Sequence, residues 1–455
     1  MLQPRPSPRP GSARLVCSTP HTTTSRFTRR KPRRLSLCDR SAVAVYSNAG
    51  NLRKSCCVDP RCSSLHCWIL ASLPAGGVSG MGLASFLHPR LILQLILVYI
   101  FVASGLLINL LQLCTLPIWP ISRRLYRVIN CRLAYSHWSQ LVLLLEWWSG
   151  TECTIFANPE DKLRFGHEHA IVVLNHNFEI DFLCGWTLCE RFGVLGSSKV
   201  VAKRELAFMP LVGWTWCFME VVFLRRRWAE DFHTVKHSLQ RLKDYPENIW
   251  LLLHCEGTRF TKEKHAASMA VAASKGLPLL KHHLLPRTRG FCTCLFYLKG
   301  TVSAVYDCTL NFRGSERPTL QGLLKGHRYH ADMCIRRIPV ETIPEDDKEC
   351  AAWLHRLYQE KDALQDEYER SGLFPGEPSI PPRRMWPVLN WLFWASLLLS
   401  PLLHFATSVF SSGSAISIAT FLSVMLLVSL GVRQMIGMTE IHKGSTYGQS
   451  INKEK

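Results

Sequence analysis

Residues 170–181 read AIVVLNHNFEID. The apolar run from Ala170 to Leu174 predicts a buried strand, and three polar groups, Asn175, His176 and Asn177, stand at its exit. In a parallel α/β domain this is where chemistry sits, at the carboxyl end of a strand as the chain turns into a helix. A histidine takes up a proton near neutral pH, and a neighbouring carboxylate can hold its ring in place. Asp181 follows His176 by five positions. On one continuous helix that step turns about 140°, so the two would not share a face. They meet only if His176 lies in the turn and Asp181 in the first turns of the following helix. The competing reading is a capping Asn beside a surface His.

Downstream, short apolar runs alternate with amphipathic stretches. Strands are expected at Lys199–Ala202, Val221–Leu224, Ile249–Leu253, Leu279–Leu285 and Val302–Leu310, with an edge strand at Asp332–Pro339. Helices are expected at Glu179–Arg191, Trp228–Leu242 and His265–Ser274, the last stopped by Gly276 and Pro278. This rhythm predicts an α/β fold, a sheet covered by helices. Glu345–Arg370 is highly charged, but Trp353, Leu354, Leu357, Tyr358, Leu364 and Tyr368 form one apolar stripe. That spacing predicts a helix lying on the domain or on a membrane surface.

The net charge of +20 is unevenly spread. Residues 1–80 carry 13 Lys and Arg against 2 Asp and Glu, more than half of the excess. This Arg-, Ser-, Thr- and Pro-rich segment has the composition of a disordered extension, a transit-like leader, or a non-standard start ahead of Met81. The charge is therefore no signal for nucleic acid. Of 18 cysteines, six precede Met81, and the rest are scattered through apolar stretches as small buried hydrophobes. His282-His283 makes a weak zinc site, because neighbouring side chains on a strand face opposite ways.

Residues 91–122 hold no charged side chain, and Leu91–Leu113 is long enough to cross a hydrocarbon core. Arg123, Arg124, Arg127 and Arg132 follow, and Trp138–Trp148 offers a second membrane-embedded or interfacial helix. Between Arg384 and Arg433 lie 48 uncharged residues with Ser411-Ser412-Gly413-Ser414 near the middle. Two spanning helices joined by that turn fit, and the flanking Arg and Lys place both ends in the cytosol.

Three further stretches carry polar groups in order: Glu220–Arg226 (EVVFLRR), Glu256-Gly257-Thr258-Arg259 and Leu284-Leu285-Pro286. With Asn175-His176-x4-Asp181 they resemble the four signature blocks of the glycerolipid acyltransferases. The resemblance runs from Met81 almost to Lys455. It is closest to the 1-acylglycerol-3-phosphate O-acyltransferase (lysophosphatidic acid acyltransferase) family, and within it to the gamma type. Glu220 stands where many members have Gly, and Arg225 where many have Asp.

The resemblance implies a glycerolipid acyltransferase domain between membrane anchors. Residues 1–80 would be the basic extension, 81–150 an N-terminal anchor region and 151–344 the catalytic domain. Residues 345–384 would form the charged helix and linker, 385–432 two transmembrane helices, and 433–455 a polar tail. It implies acyl transfer from acyl-CoA, a co-substrate with no further cofactor or metal, to the sn-2 hydroxyl of lysophosphatidic acid. His176 would be the base and Asp181 its orienting carboxylate, with no acyl-enzyme. A covalent route through Cys184 or Cys189 is the weaker alternative. Arg226 and Arg259 would recognise phosphate, Arg259 through its planar fork. Gly257 would permit a tight turn and Thr258 add a hydrogen bond. Glu256 would hold loops or the glycerol hydroxyl, and Pro286 would shape the cleft. The expected partners are acyl-CoA, a lysophospholipid and the bilayer, and the expected place is the endoplasmic reticulum membrane, multi-pass, with Golgi or nuclear envelope as further sites. Alternatives are another lysophospholipid acceptor, such as lysophosphatidylinositol, or an inactive membrane scaffold retaining the fold.

Overall fold

The computed structural model describes residues 89–225 and 228–437. Expectations for residues 1–80, for Met81, for Arg226 and for the tail beyond Gly437 lie outside the described residues.

Eight strands form one mixed sheet: β1 (Glu152–Phe156), β2 (Ala170–Leu174), β3 (Lys199–Lys203), β4 (Val222–Leu224), β5 (Trp250–Leu253), β6 (Ala304–Phe312), β7 (His330–Pro339) and β8 (Pro378–Ser379). Their order is β4-β3-β5-β2-β6-β7-β1-β8. The five strands from β4 to β6 in that order run parallel. β7 is antiparallel to β6, β1 is parallel to β7, and β8 closes the edge antiparallel to β1. β2 lies at the centre, with Val173 opposite Leu253 on one side and Asp307 on the other. All five of its residues are buried, as a purely apolar run requires.

The helices are α1 (Pro89–Cys114), α2 (Ile118–Ile121), α3 (Arg123–Leu143), α4 (Pro159–Lys162), α5 (Asp181–Arg191), α6 (Val212–Phe218) and α7 (Trp228–Leu242). They continue as α8 (Lys262–Ser274), α9 (Thr288–Leu298), α10 (Leu320–Leu324), α11 (Asp347–Ser371), α12 (Trp386–Ser411) and α13 (Ala415–Gly437). Alternation along the strands separates the two layers. Val172, Leu174, Leu252 and Cys308 border a narrow internal cavity closed by Trp138 of α3 and Trp186 of α5. Asp307, the neighbour of Cys308, points the other way and meets Lys361 Nζ of α11 at 2.6 Å. α11 starts at Asp346, whose carboxylate accepts from Lys348 N and Glu349 N, and it ends at Gly372 in the left-handed conformation.

Three local expectations are corrected. Leu279–Leu285 is not a strand: the N–H groups of Lys281, His282 and His283 donate to the Asp362 carboxylate of α11 instead of to a ladder. β7 is not an edge, because β1 and β8 lie beyond it. Trp138–Trp148 is not a separate membrane helix but the end of α3 and a π-helical turn. Trp138 is buried and stacked on Trp186 with ring centroids 5.0 Å apart.

α1 and α12 are long and apolar enough to cross a membrane, and α13 follows α12 after a turn at Gly413, whose φ is 65°. α1 is two-sided. Its Ser104, Asn109 and Gln112, and Thr115 just beyond its end, turn inward. Gln140 Nε2 of α3 donates to Ser104 Oγ at 2.8 Å, and Asn130 Nδ2 donates to Thr115 Oγ1 at 2.9 Å. α12 docks on α3: Asn390 Nδ2 donates to Ser136 O and Ser139 Oγ, and Trp394 Nε1 donates to Ser136 Oγ.

Candidate active site

The side-chain amide of Asn175 continues the central ladder. Its Nδ2 donates to Leu310 O at 2.9 Å and its Oδ1 accepts from Leu310 N at 2.8 Å. This fixes the backbone at which His176 leaves β2. Asp181 is the first residue of α5. Its Oδ2 accepts from Asn177 N at 2.8 Å and Phe178 N at 2.9 Å, and lies 3.2 Å from His176 Nδ1. The geometric condition read from the five-residue spacing is met: turn for the histidine, first helical turn for the acid. An Nδ1–H donated to Asp181 leaves Nε2 as the acceptor, facing away from the carboxylate.

The loop after β5 closes over the ring. His254 stacks on His176 with centroids 4.2 Å apart and planes inclined by 20°. Its Nδ1 donates to Leu174 O at 3.0 Å. Glu256 is fully buried. Its Oε1 accepts from His176 N at 3.3 Å and its Oε2 from Leu284 N at 3.5 Å, so it joins the first block to the fourth. Phe260 N donates to His176 O at 2.8 Å. Gly257 has a φ of 72°, and a β-carbon there would meet Arg287 Cδ at 2.9 Å, so both turn and packing call for glycine. Thr258 Oγ1 accepts from Lys264 Nζ at 3.0 Å. Pro286 is buried, and the Arg287 N–H beside it donates to Cys255 O at 2.7 Å.

Burial lowers the His176 imidazole, and the charges of Arg259, Lys264 and Lys203 push the same way, which keeps the ring neutral and able to accept a proton. Burial lifts the Asp181 carboxyl to about 7 against the pull of its two backbone N–H partners. Burial likewise lifts the Glu256 carboxyl, to about 8, against the pull of the His176 and Leu284 N–H groups. Burial raises the Cys184 and Cys189 thiols, Cys189 to about 12, far from a nucleophilic thiolate. His282 and His283 diverge: His283 Nδ1 meets Asp362, while His282 meets Asp366 and Glu369.

The first, third and fourth blocks thus come together, whereas Arg226 of the second lies outside the described residues. The departure at Glu220 has a physical account. Its φ is 55°, a conformation that suits glycine, and Arg127 of α3 holds its carboxylate at 2.7 Å in a buried ion pair. Sequence reasoning missed His254, Lys264 and Asp362. Only His254 left a signal, as a polar residue at the exit of a second central strand.

Residues 156–302 match the family model described as Acyltransferase, and residues 322–394 match Acyltransferase C-terminus. The class is therefore an acyltransferase. The chain is 62% identical over 375 residues to human 1-acyl-sn-glycerol-3-phosphate acyltransferase gamma, covering 82% of this chain and 100% of that one. It is 60% identical over 375 residues to the human delta enzyme, covering 82% and 99%. Among solved structures, the 1-acyl-sn-glycerophosphate acyltransferase from Thermotoga maritima is similar at 14% identity over 57% of this chain and 96% of that one, with a TM-score of 0.32. The chain belongs to the 1-acyl-sn-glycerol-3-phosphate acyltransferase family.

Proposed function

We propose that this protein transfers a fatty acyl chain from acyl-CoA to the sn-2 hydroxyl of 1-acyl-sn-glycerol 3-phosphate, giving phosphatidic acid. It does so as a multi-pass protein of the endoplasmic reticulum membrane. The observation that carries the mechanism is the His176–Asp181 pair at the exit of β2, with the acid fixed by two backbone N–H groups.

His176 Nε2 takes the proton of the acceptor hydroxyl as its oxygen attacks the thioester carbonyl. Asp181 holds the Nδ1–H and stabilises the imidazolium that forms. Collapse of the tetrahedral intermediate breaks the C–S bond and expels the CoA thiolate, which receives from His176 the proton that came from the acceptor hydroxyl. Arg259 recognises the acceptor phosphate, with Thr258 and the second-block Arg226 in support. The electrostatic reach of Arg259, Lys264 and Lys203 to the His176 ring supports a site for a dianionic headgroup. Glu256 and Gly257 shape the loop, and Pro286 shapes the cleft wall. The α12–α13 pair would return both of its ends to the cytosol, on the side of soluble acyl-CoA, with the Ser412–Ser414 turn in the lumen.

The test is an assay of the purified protein in lipid nanodiscs with one acyl-CoA and a panel of lysophospholipids. The highest kcat/KM is expected with lysophosphatidic acid. A higher value with lysophosphatidylinositol would overturn the acceptor assignment.

A further inference from the structure

The chain between β3 and β4 forms a 3-10 turn at Arg204–Phe208 and then α6. The two pieces are pressed together, since a β-carbon at Gly213 would overlap the carbonyl oxygen of Leu206. Between them Leu211 takes a φ of 68°, which a leucine adopts only when its surroundings hold it there. Leu211 is buried, and a β-carbon at Gly105 of α1 would lie 3.1 Å from Leu211 Cδ2. Two hydrogen bonds fasten the same side. Asn109 Nδ2 of α1 donates to Thr215 Oγ1 at 2.9 Å, and Tyr126 of α3 donates to Phe218 O at 2.9 Å.

Arg204 and Glu205 at the start of this segment are exposed charges; from Leu206 to Phe218 its sequence holds no charge and its outer side is apolar. Phe208 is 73% exposed and Trp214 41%. Beside it on α1, Leu106 and Leu110 are exposed next to the Gly105 and Asn109 contacts, while the polar groups of α1 face inward. Polar inside and apolar outside is the reverse of a surface made for water. The level matters too. α6 meets α1 at Gly105 and Asn109, within the Ile92–Cys114 span, so it stands beside the membrane helix and not beyond its end.

We propose that Leu206–Phe218 is a membrane-immersed foot of the catalytic domain, with Phe208 and Trp214 seated among the lipids of the leaflet that α1 leaves toward α3 and with the exposed Arg204 and Glu205 at the headgroup level. Its partner is the bilayer. The continuity of this face with the lipid-facing side of α1 selects that occupant over a protein. The foot follows β3, which ends at Lys203 and lies in the parallel part of the sheet that holds β2 and the dyad. Resting on the acceptor assignment above, the foot lets a lysophospholipid present its headgroup to the site while its tail stays in lipid.

Two measurements on the full chain in phosphatidylcholine vesicles test this. In the first, Phe208→Cys carries an environment-sensitive fluorophore, with the exposed Cys114 and Cys217 and the six cysteines before Met81 replaced by Ser. Quenching by lipids brominated on the acyl chain is expected. Quenching by aqueous iodide and not by brominated lipid would overturn the proposal. In the second, the Phe208→Glu and Trp214→Glu variants are assayed with a long-chain acceptor in the bilayer and a short-chain acceptor dispersed as monomers. The kcat/KM for the bilayer acceptor should fall about tenfold or more, on the scale of placing a charge in apolar lipid. That for the monomeric acceptor should stay within about twofold, because the foot touches no reacting group. An equal loss for both acceptors would make the segment a structural brace and sink the idea. Should the unmodified protein prefer another lysophospholipid, the substrate assignment fails, while the quenching result still decides the foot.

Discussion

The His176 ring has two neighbours that act on it differently, Asp181 at its edge and His254 on its face. The edge contact sets a pH dependence. His176 is depressed, so it stays neutral well into the acid range. Asp181 is raised to about 7 and accepts the Nδ1–H only as the carboxylate, so kcat/KM should rise with pH through about 7 and then level off. Asp181→Asn should cost a factor of roughly 10²–10⁴ and abolish that limb. An acid limb that survives in this variant would belong to another buried acid, Glu256 being the nearest candidate. The face contact predicts a split between two substitutions. His254→Phe keeps a stacked ring and should lower kcat only a few-fold, whereas His254→Ala removes a contact worth about 0.5–1.5 kcal/mol and should lower kcat up to about tenfold, with KM little changed. Equal losses would assign the effect to the Nδ1 bond with Leu174 O. The dyad was legible in the sequence because strand, turn and helix are consecutive there. His254 was not, because its contact is made across the β2–β5 pairing, which no local pattern encodes.

At the scale of elements, the loop Lys281–His283 shows how a helix from the end of the domain controls the site. Asp362 of α11 accepts from three consecutive backbone N–H groups and from His283 Nδ1. The next residue, Leu284, reaches Glu256, and Glu256 reaches His176 N. Asp362→Ala should therefore loosen the fourth block and raise the Michaelis constants for both substrates several-fold. It should also cost about 2–3 kcal/mol of stability in a denaturation series, since several donors lose a charged acceptor. Asp362→Asn, which keeps one acceptor oxygen, should fall between. Unchanged Michaelis constants with lowered stability would confine α11 to holding the fold. This element also marks where sequence reading ran out. Leu279–Leu285 has the apolar content of a strand, yet its donors are taken by a carboxylate 80 residues away. β1 escaped notice because it is short and joins the sheet between β7 and β8, both far along the chain. The central strands and α5, α7 and α11 were legible because their periodicity is strong and local.

For the whole molecule, the lengths and ends of the membrane helices could be read from the absence of charge. What could not be read is that α1 and α12 are parts of one packed unit with α3, because the groups that join them are few and isolated in apolar runs. Two predictions separate what the enzyme needs from what it carries. Protein starting at Met81 should keep its activity per mole and its membrane insertion, since both the compositional break and the family resemblance begin there. A large loss would make residues 1–80 part of the working enzyme. Asn390→Leu addresses the other end. Asn390 makes three hydrogen bonds to α3: two through Nδ2, to Ser136 O and Ser139 Oγ, and one from Ser136 Oγ to its Oδ1 at 2.7 Å. Interhelical polar contacts in membrane proteins average roughly 0.6 kcal/mol each, so their joint loss should destabilise by about 1–2 kcal/mol. Because α3 also carries Arg127, which holds Glu220, and the partners of α6, a loosened α12 should be felt in the catalytic domain. The measurement is thermal inactivation of acyl transfer in nanodiscs alongside loss of membrane-helix packing, followed by tryptophan emission. If α12 is an integral strut, both curves shift down together. If activity survives unshifted while the helix packing melts early, α12 serves only as an anchor, and the coupling drawn here from Asn390 through α3 to the second block is wrong.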